Sequence, residues 1–211
     1  MIIENLKIYL QNFQKNRLLI KTLLETQKNF NMLFIQKSSW SVIWTIPSFS
    51  NKEEDKVIGT PNHLNWITFS RPNTDDHDYP RVVTYINIYL MTMYFSLRKD
   101  IFNHKDICCF SFFNNSSIFF IINIYSDNNH SALKYFKDTE ANIHNVLIIA
   151  GNFNIRNSNW DSSYSFYSYS NILVEIADSF NLTLSSAIQQ VSTWYSNNKN
   201  NFNLVIDLLF L

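Results

Sequence analysis

From Leu6 to Phe13 apolar and polar residues alternate, with Leu6, Ile8 and Leu10 on one face, and this predicts a strand. Asn16 can cap a helix from Arg17 to about Lys28, with a stripe of Leu18, Leu19, Leu23 and Leu24. Met32 to Gln36 predicts a second strand, ending at Lys37. Strand, helix and strand in that order imply a parallel pair with a right-handed crossover. Ser41 to Ile46 and Trp66 to Phe69 are further strand candidates, and the polar stretch Ser48 to Gly59 between them reads as a surface loop. Arg81 to Leu90 places Val82, Thr84, Ile86 and Ile88 on one face. Ile107 to Phe113 and Ile118 to Tyr125 are apolar strands separated by Asn-Asn-Ser-Ser, which fits a hairpin loop.

Beyond Tyr125, Ser131 can cap a helix that carries Leu133, Phe136 and Ile143 inward. Val146 to Ala150 is an unbroken apolar run and reads as a strand buried on both faces. It leads into Gly151, one of two glycines in the chain, and then Asn152-Phe153-Asn154. A glycine there permits a sharp turn or close approach to a ligand. Two readings stand for the Asn residues: a cap on a turn, or polar groups built into a site at the carboxyl end of a strand. Asn157 to Ser170 reads as a loop containing Trp160. Asn171 to Phe180 is a patterned helix with Ile172, Leu173, Ile176, Ala177 and Phe180 on one face, stopped by Asn181. Leu182 to Leu184, Thr193 to Tyr195 and Leu204 to Phe210 close the chain as strands.

Strands dominate, which predicts an α/β (α+β type) chain built as a sandwich of two packed mixed β-sheets with helices outside, in one domain spanning residues 1–211. With 46% hydrophobic and 16% aromatic residues the chain is globular rather than disordered. Its formal net charge is zero, so the broad basic footprint of a tight nucleic-acid binder is missing. A local basic patch remains near the start, in Lys15, Arg17, Lys21 and Lys28. Cys108 and Cys109 are adjacent in an apolar run and read as core thiols. No signal pattern or membrane-length apolar run occurs, which reads as a soluble intracellular protein. Asp75, Asp76 and His77 suggest a metal site, but adjacent residues on one loop converge poorly and a solvated loop is the better reading.

Polar residues gather at strand ends: Asn12, Gln36 with Lys37, Tyr125, Asn152 with Asn154, and Asp207. Asp207 sits in Leu204-Val-Ile-Asp-Leu-Leu-Phe210, where a lone carboxylate needs a reason. The ordered pieces are Gln11-Asn12-Phe13-Gln14, Leu33-Phe-Ile-Gln36 with the next position, Ile122-Asn-Ile-Tyr125, Gly151-Asn-Phe-Asn154 followed by Asn157 and Trp160, and Val205-Ile-Asp-Leu208. Together they resemble the endonuclease/exonuclease/phosphatase superfamily, and within it the endonuclease domains of LINE-like (non-LTR) retrotransposons. The resemblance implies a four-layer α/β sandwich, metal-assisted phosphodiester hydrolysis with Mg as cofactor, and DNA as partner. The stop at Leu211, just after the last motif, is compatible with truncation of a longer polyprotein carrying a reverse transcriptase downstream.

Residue by residue, the resemblance puts Asn12 near the metal, Tyr125 and Asn154 on the phosphate, and Asp207 at the Asp of the last motif. The departures are chemical. The metal-binding Glu is Lys37, the catalytic Asp is Asn152, and the Ser and His of the last motif fall at Leu204 and Leu208. An ammonium ~4 Å from Mg²⁺ is repelled by roughly 8 kcal/mol at an effective dielectric of 20. The carboxamide of Asn152 takes no proton near neutral pH. Two functions are therefore weighed: a Mg-dependent DNA-nicking endonuclease impaired at Lys37 and Asn152, or a catalytically inactive remnant that binds nucleic acid or phosphate. A cation at position 37 suggests direct phosphate contact without metal. A phosphatase of small phosphoesters fits less well, given the Phe153-Asn154 to Trp160 spacing and the Val-Ile-Asp ending.

Overall fold

In a computed structural model, residues 6–46, 55–71, 79–89, 94–114, 117–139, 143–155, 168–185 and 207–210 are described. The chain divides into two compact units, Met1–Thr92 and Met93–Leu211. Both are mixed α/β.

In the first unit, β1 (Ile8–Asn12), α1 (Arg17–Thr26) and β2 (Met32–Gln36) form the expected strand–helix–strand, with β1 and β2 parallel. Antiparallel β6 (Val82–Asn87) and β5 (Trp66–Phe69) complete a sheet of order β1-β2-β6-β5. Asn16 caps α1 as predicted, its Oδ1 accepting from the Leu19 N–H at 3.1 Å. The buried face of α1 is Ile20, Leu23 and Leu24, whereas Leu18 is 73% and Leu19 50% exposed. The buried stripe differs from the predicted one: it is centred on Ile20, three and four residues before Leu23 and Leu24, and at 100° per residue Leu19 falls at its edge and Leu18 off it. These side chains pack on Leu33, Ile35, Val83 and Tyr85, and the Trp66 indole N–H donates to the Leu24 carbonyl at 2.8 Å, satisfying one of the helix's last acceptors.

β3 (Ser41–Ile46) pairs with β4 (Asp55–Gly59) in a separate two-stranded ribbon. The surface loop expected from Ser48 to Gly59 thus ends in a strand. Val57 and Ile58 are both more than a third exposed, so β4 shows no one-sided burial that alternation would reveal. Ile88, expected on a strand face, lies past the end of β6 and is exposed. The Asp75, Asp76 and His77 reading lies outside the described residues, as does Thr193 to Tyr195.

The second unit is a five-stranded sheet of order β11-β10-β9-β8-β7. Its strands are β7 (Tyr94–Leu97), β8 (Ile107–Asn114), β9 (Ser117–Tyr125), β10 (Val146–Asn152) and β11 (Asp207–Phe210). Among these described strands only β9 and β10 run parallel. The β8–β9 pairing reaches Asn114↔Ser117, two residues closer than the predicted four-residue loop allowed. β7 carried no prediction. α2 (Ser131–Asp138) and α3 (Ser168–Ser179) cover one sheet face, where Leu133, Phe136, Leu173 and Ile176 meet Ile122, Ile124 and Ile149. α3 starts before the predicted Asn171, and Asn181 (φ 56°) supplies its left-handed stop. Ile143 joins this core from beyond the end of α2. Leu182 to Leu184 forms no continuous strand; next to it the Ser185 N–H donates to the Leu209 carbonyl at 2.8 Å. Cys108 and Cys109 are buried free thiols, and burial pushes the Cys109 thiol up to about 12.

The Gly151 backbone is not left-handed. A Cβ built on it would lie 1.7 Å from the Ile124 carbonyl oxygen, so it is the parallel neighbour β9 that demands glycine. Gly151→Ala is expected to destabilise by the upper end of the ~1–3 kcal/mol typical of overpacking, because the obstacle is backbone and cannot rotate aside. Urea unfolding of the variant measures this; an unchanged midpoint would contradict the close approach.

Candidate functional site

Three of the predicted residues lie in one row across the second unit's sheet. Tyr125 is the Cα partner of Asn152 on one side, and Asp207 is its partner on the other. Strand spacing puts such neighbours about 5 Å apart. Phe120, Ile122, Ile124 and Ile149 belong to the helix-facing core, so by the two-residue period Tyr125 and Asn152 sit on the opposite face. The row continues to Asp106, just before β8, whose carbonyl accepts from the Tyr125 N–H at 3.0 Å. Asp106 is fully buried. Sequence reasoning passed over it, although a carboxylate immediately before an apolar run is the same kind of signal as Asp207.

Asn152 is fully buried, and among the described residues neither its Nδ2 nor its Oδ1 has a hydrogen-bond partner. An unsatisfied buried amide costs about 1–3 kcal/mol. Folding alone does not favour a carboxamide here.

Asn154 takes a left-handed backbone (φ 49°), which Asn tolerates better than most residues, and its Nδ2 donates to the Ser126 carbonyl. Ser126 is the knot of this corner. Its N–H donates to the Asn152 carbonyl at 2.8 Å, and its Oγ lies 3.0 Å from His130 Nδ1. His130 is buried, left-handed at φ 54°, and its ring lies 4.7 Å from the Tyr169 ring at a tilt of 40°. It is His130, not the predicted Ser131, that occupies the cap position of α2. Asp127 Oδ1 accepts from both the N–H and the hydroxyl of Ser131 and satisfies the helix start instead. Ser126 and His130 were missed as site residues; the signal was a wholly polar run directly after the strand-ending Tyr125.

In the first unit, Asn12 is the Cα partner of Gln36 at the carboxyl ends of β1 and β2. Asn12 Oδ1 accepts from the Gln14 N–H at 3.1 Å. Lys37 follows Gln36 with φ 49°, and its Nζ lies 3.4 Å from Gln14 Oε1. The structure thus brings Asn12 and Lys37 together in the first unit, and Tyr125, Asn152, Asn154 and the backbone of Asp207 together in the second.

Taken unit by unit, the residues present fit poorly a hard divalent cation, which prefers carboxylate oxygens. In the first unit position 37 offers an ammonium, and in the second position 152 offers a neutral, buried carboxamide. Among the described residues no group of three or more His, Cys, Asp or Glu side chains converges on a point. Among them, too, no helix is long and apolar enough to cross a membrane.

Burial holds the His130 imidazole below its ordinary pKa; Lys134 acts in the same direction and Asp127 opposes them. The unfolded chain therefore binds this proton more readily than the folded one. The stabilisation is fully present above the ordinary pKa of about 6.5 and declines as pH falls through it. Melting temperature should drop between neutral and mildly acidic pH, and His130→Asn, which keeps a left-handed-tolerant residue, should flatten that drop. Parallel pH profiles for the two proteins would contradict this. Asn152→Leu, similar in shape, is expected to leave stability unchanged or raise it by about 1 kcal/mol. A loss of ~2 kcal/mol or more in thermal melting would mean that the carboxamide is satisfied after all.

No protein-family model and no curated protein matches the sequence. Solved structures do. The endonuclease domain of TRAS1, a telomere-specific non-LTR retrotransposon, has a TM-score of 0.65 at 11% identity, over 97% of this chain and 83% of that one. An endonuclease/exonuclease/phosphatase family protein from Leptotrichia buccalis C-1013-b has a TM-score of 0.53 at 12% identity, over 97% and 87% of the two chains. With nearly the whole chain covered at such low identity, what is shared is architecture: the chain has the fold of the endonuclease/exonuclease/phosphatase superfamily.

Proposed function

We propose that the chain is a nuclease-like, DNA-directed phosphodiester-binding domain whose hydrolytic step is disabled at Asn152 and Lys37. The single observation that carries this is the middle of the row: between Tyr125 and Asp207 stands a buried carboxamide with no hydrogen-bond partner among the described residues. The sequence resemblance implies at that position an Asp that orients or deprotonates the attacking water. A carboxamide has the shape of a carboxylic acid but neither its charge nor its basicity. General-base assistance contributes about 10²–10⁴ in rate, so losing it alone removes most turnover. Tyr125 and Asn154 remain of the types that position a phosphate by hydrogen bonding. DNA as ligand is supported by the likeness to a retrotransposon endonuclease domain. Mg²⁺ is the ion that this chemistry would use, and Lys37 in the first unit and Asn152 in the second each stand where the sequence resemblance implies a carboxylate.

Restoring the pair is the test. Lys37→Glu combined with Asn152→Asp is expected to raise nicking of supercoiled plasmid by about 100-fold or more in Mg²⁺, and chelator should abolish the gain. A folded double variant that nicks no faster than the parent chain would sink the proposal.

A further inference from the structure

The chain is neutral overall, but its charge is not evenly spread. Between Leu6 and Ile46 there are six Lys or Arg residues and a single acidic residue, Glu25. Two of the cations, Lys15 and Lys37, stand on adjoining backbone just past the carboxyl ends of β1 and β2. The Lys15 N–H donates to the Lys37 carbonyl at 2.8 Å, so the two stems leave adjoining backbones. Lys37 Nζ is held toward Gln14 Oε1 at 3.4 Å, on the loop that carries Lys15. Lys15 is exposed and Lys37 partly so. Arg17 opens α1 two residues after Lys15, and its Nη1 has no hydrogen-bond partner among the described residues, so no carboxylate there discharges that guanidinium nitrogen.

We infer that this corner binds a phosphate oxyanion directly, without a metal, through Lys37 and Lys15. Only the choice of a nucleic-acid phosphate as ligand rests on the nuclease-like reading. The chemistry inverts what the sequence resemblance implies at this position. There a Glu holds a cation that in turn contacts phosphate; here the side chain is itself the cation. Ammonium groups act on phosphate as mobile point charges, giving affinity without base selectivity.

The test is fluorescence anisotropy of a labelled DNA duplex with the full chain in chelator. Binding should persist without Mg²⁺, and added Mg²⁺ should weaken it by competing for phosphate. Lys37→Gln and Lys15→Gln should each weaken binding by about five- to tenfold and lower the salt slope by about 1. Lys7→Gln, on an exposed residue before the amino end of β1 in the same unit, should change binding less than about twofold, since it stands at the opposite end of the strand. Displacement of DNA by millimolar inorganic phosphate would identify a general phosphate site; resistance to it would identify contiguous backbone phosphates as the source. Binding that requires Mg²⁺, or Lys37→Gln and Lys15→Gln proteins that bind like the parent, would overturn the inference. Lys37→Glu with Asn152→Asp exchanges this cation for a Mg²⁺ site and is read as nicking in Mg²⁺, whereas the present test reads binding in chelator. Absence of chelator-resistant binding with a gain of nicking fails this inference alone, and chelator-resistant binding without a gain of nicking fails the disabled-nuclease reading alone.

Discussion

The geometry of the second unit depends on how closely two backbones approach. At Gly151 the chain passes so near the Ile124 carbonyl that a single methyl group would collide with it. That contact sets how far β10 advances along β9, and a one-residue slip would turn every side chain to the other face. Its consequence is the row of Tyr125, Asn152 and Asp207, which draws on strands far apart in sequence. Ser126 then fastens the strand ends by holding the Asn152 carbonyl, the Asn154 carboxamide and the His130 ring at once. The scaffold around position 152 is thus over-determined, while the side chain at its centre has no hydrogen-bond partner among the described residues.

That contrast separates fold from chemistry. Burial of Leu33, Ile35, Ile122 and Ile149 on their sheets is indifferent to whether position 152 is Asp or Asn and position 37 is Glu or Lys. Hydrolysis is not indifferent, because it needs negative charge to gather a cation and a base to take a proton. A likeness in architecture at 11% identity therefore carries the fold, and leaves the reaction to be argued from the residues present.

Much of this was legible in the sequence, and what was not has physical causes. The central apolar run and its Asn-Phe-Asn ending announced β10 and its polar terminus, because five apolar residues in a row need burial on both faces and polar groups can follow only where that burial stops. The Asn16 cap was legible because its partner lies three residues away. The need for Gly151 was legible only as an anomaly, since its cause belongs to another strand. β4 escaped notice because its pairing with β3, not any pattern of its own, makes it a strand. His130 at a helix cap was unexpected because Ser is the commoner capping residue, and the left-handed turn that seats the imidazole is not encoded in residue type alone.

Thermal melting with and without Mg²⁺ tests most directly the claim that charge at two positions, rather than the fold, excludes the metal. A ligand that binds only the folded state raises its melting temperature by mass action. Mg²⁺ should leave the melting temperature of the parent chain unchanged relative to chelator, and should raise that of the protein carrying Lys37→Glu and Asn152→Asp, whose new buried carboxylate is otherwise uncompensated. An equal Mg²⁺-dependent rise in the parent chain would show that Lys37 and Asn152 do not keep the ion out, and would contradict the account.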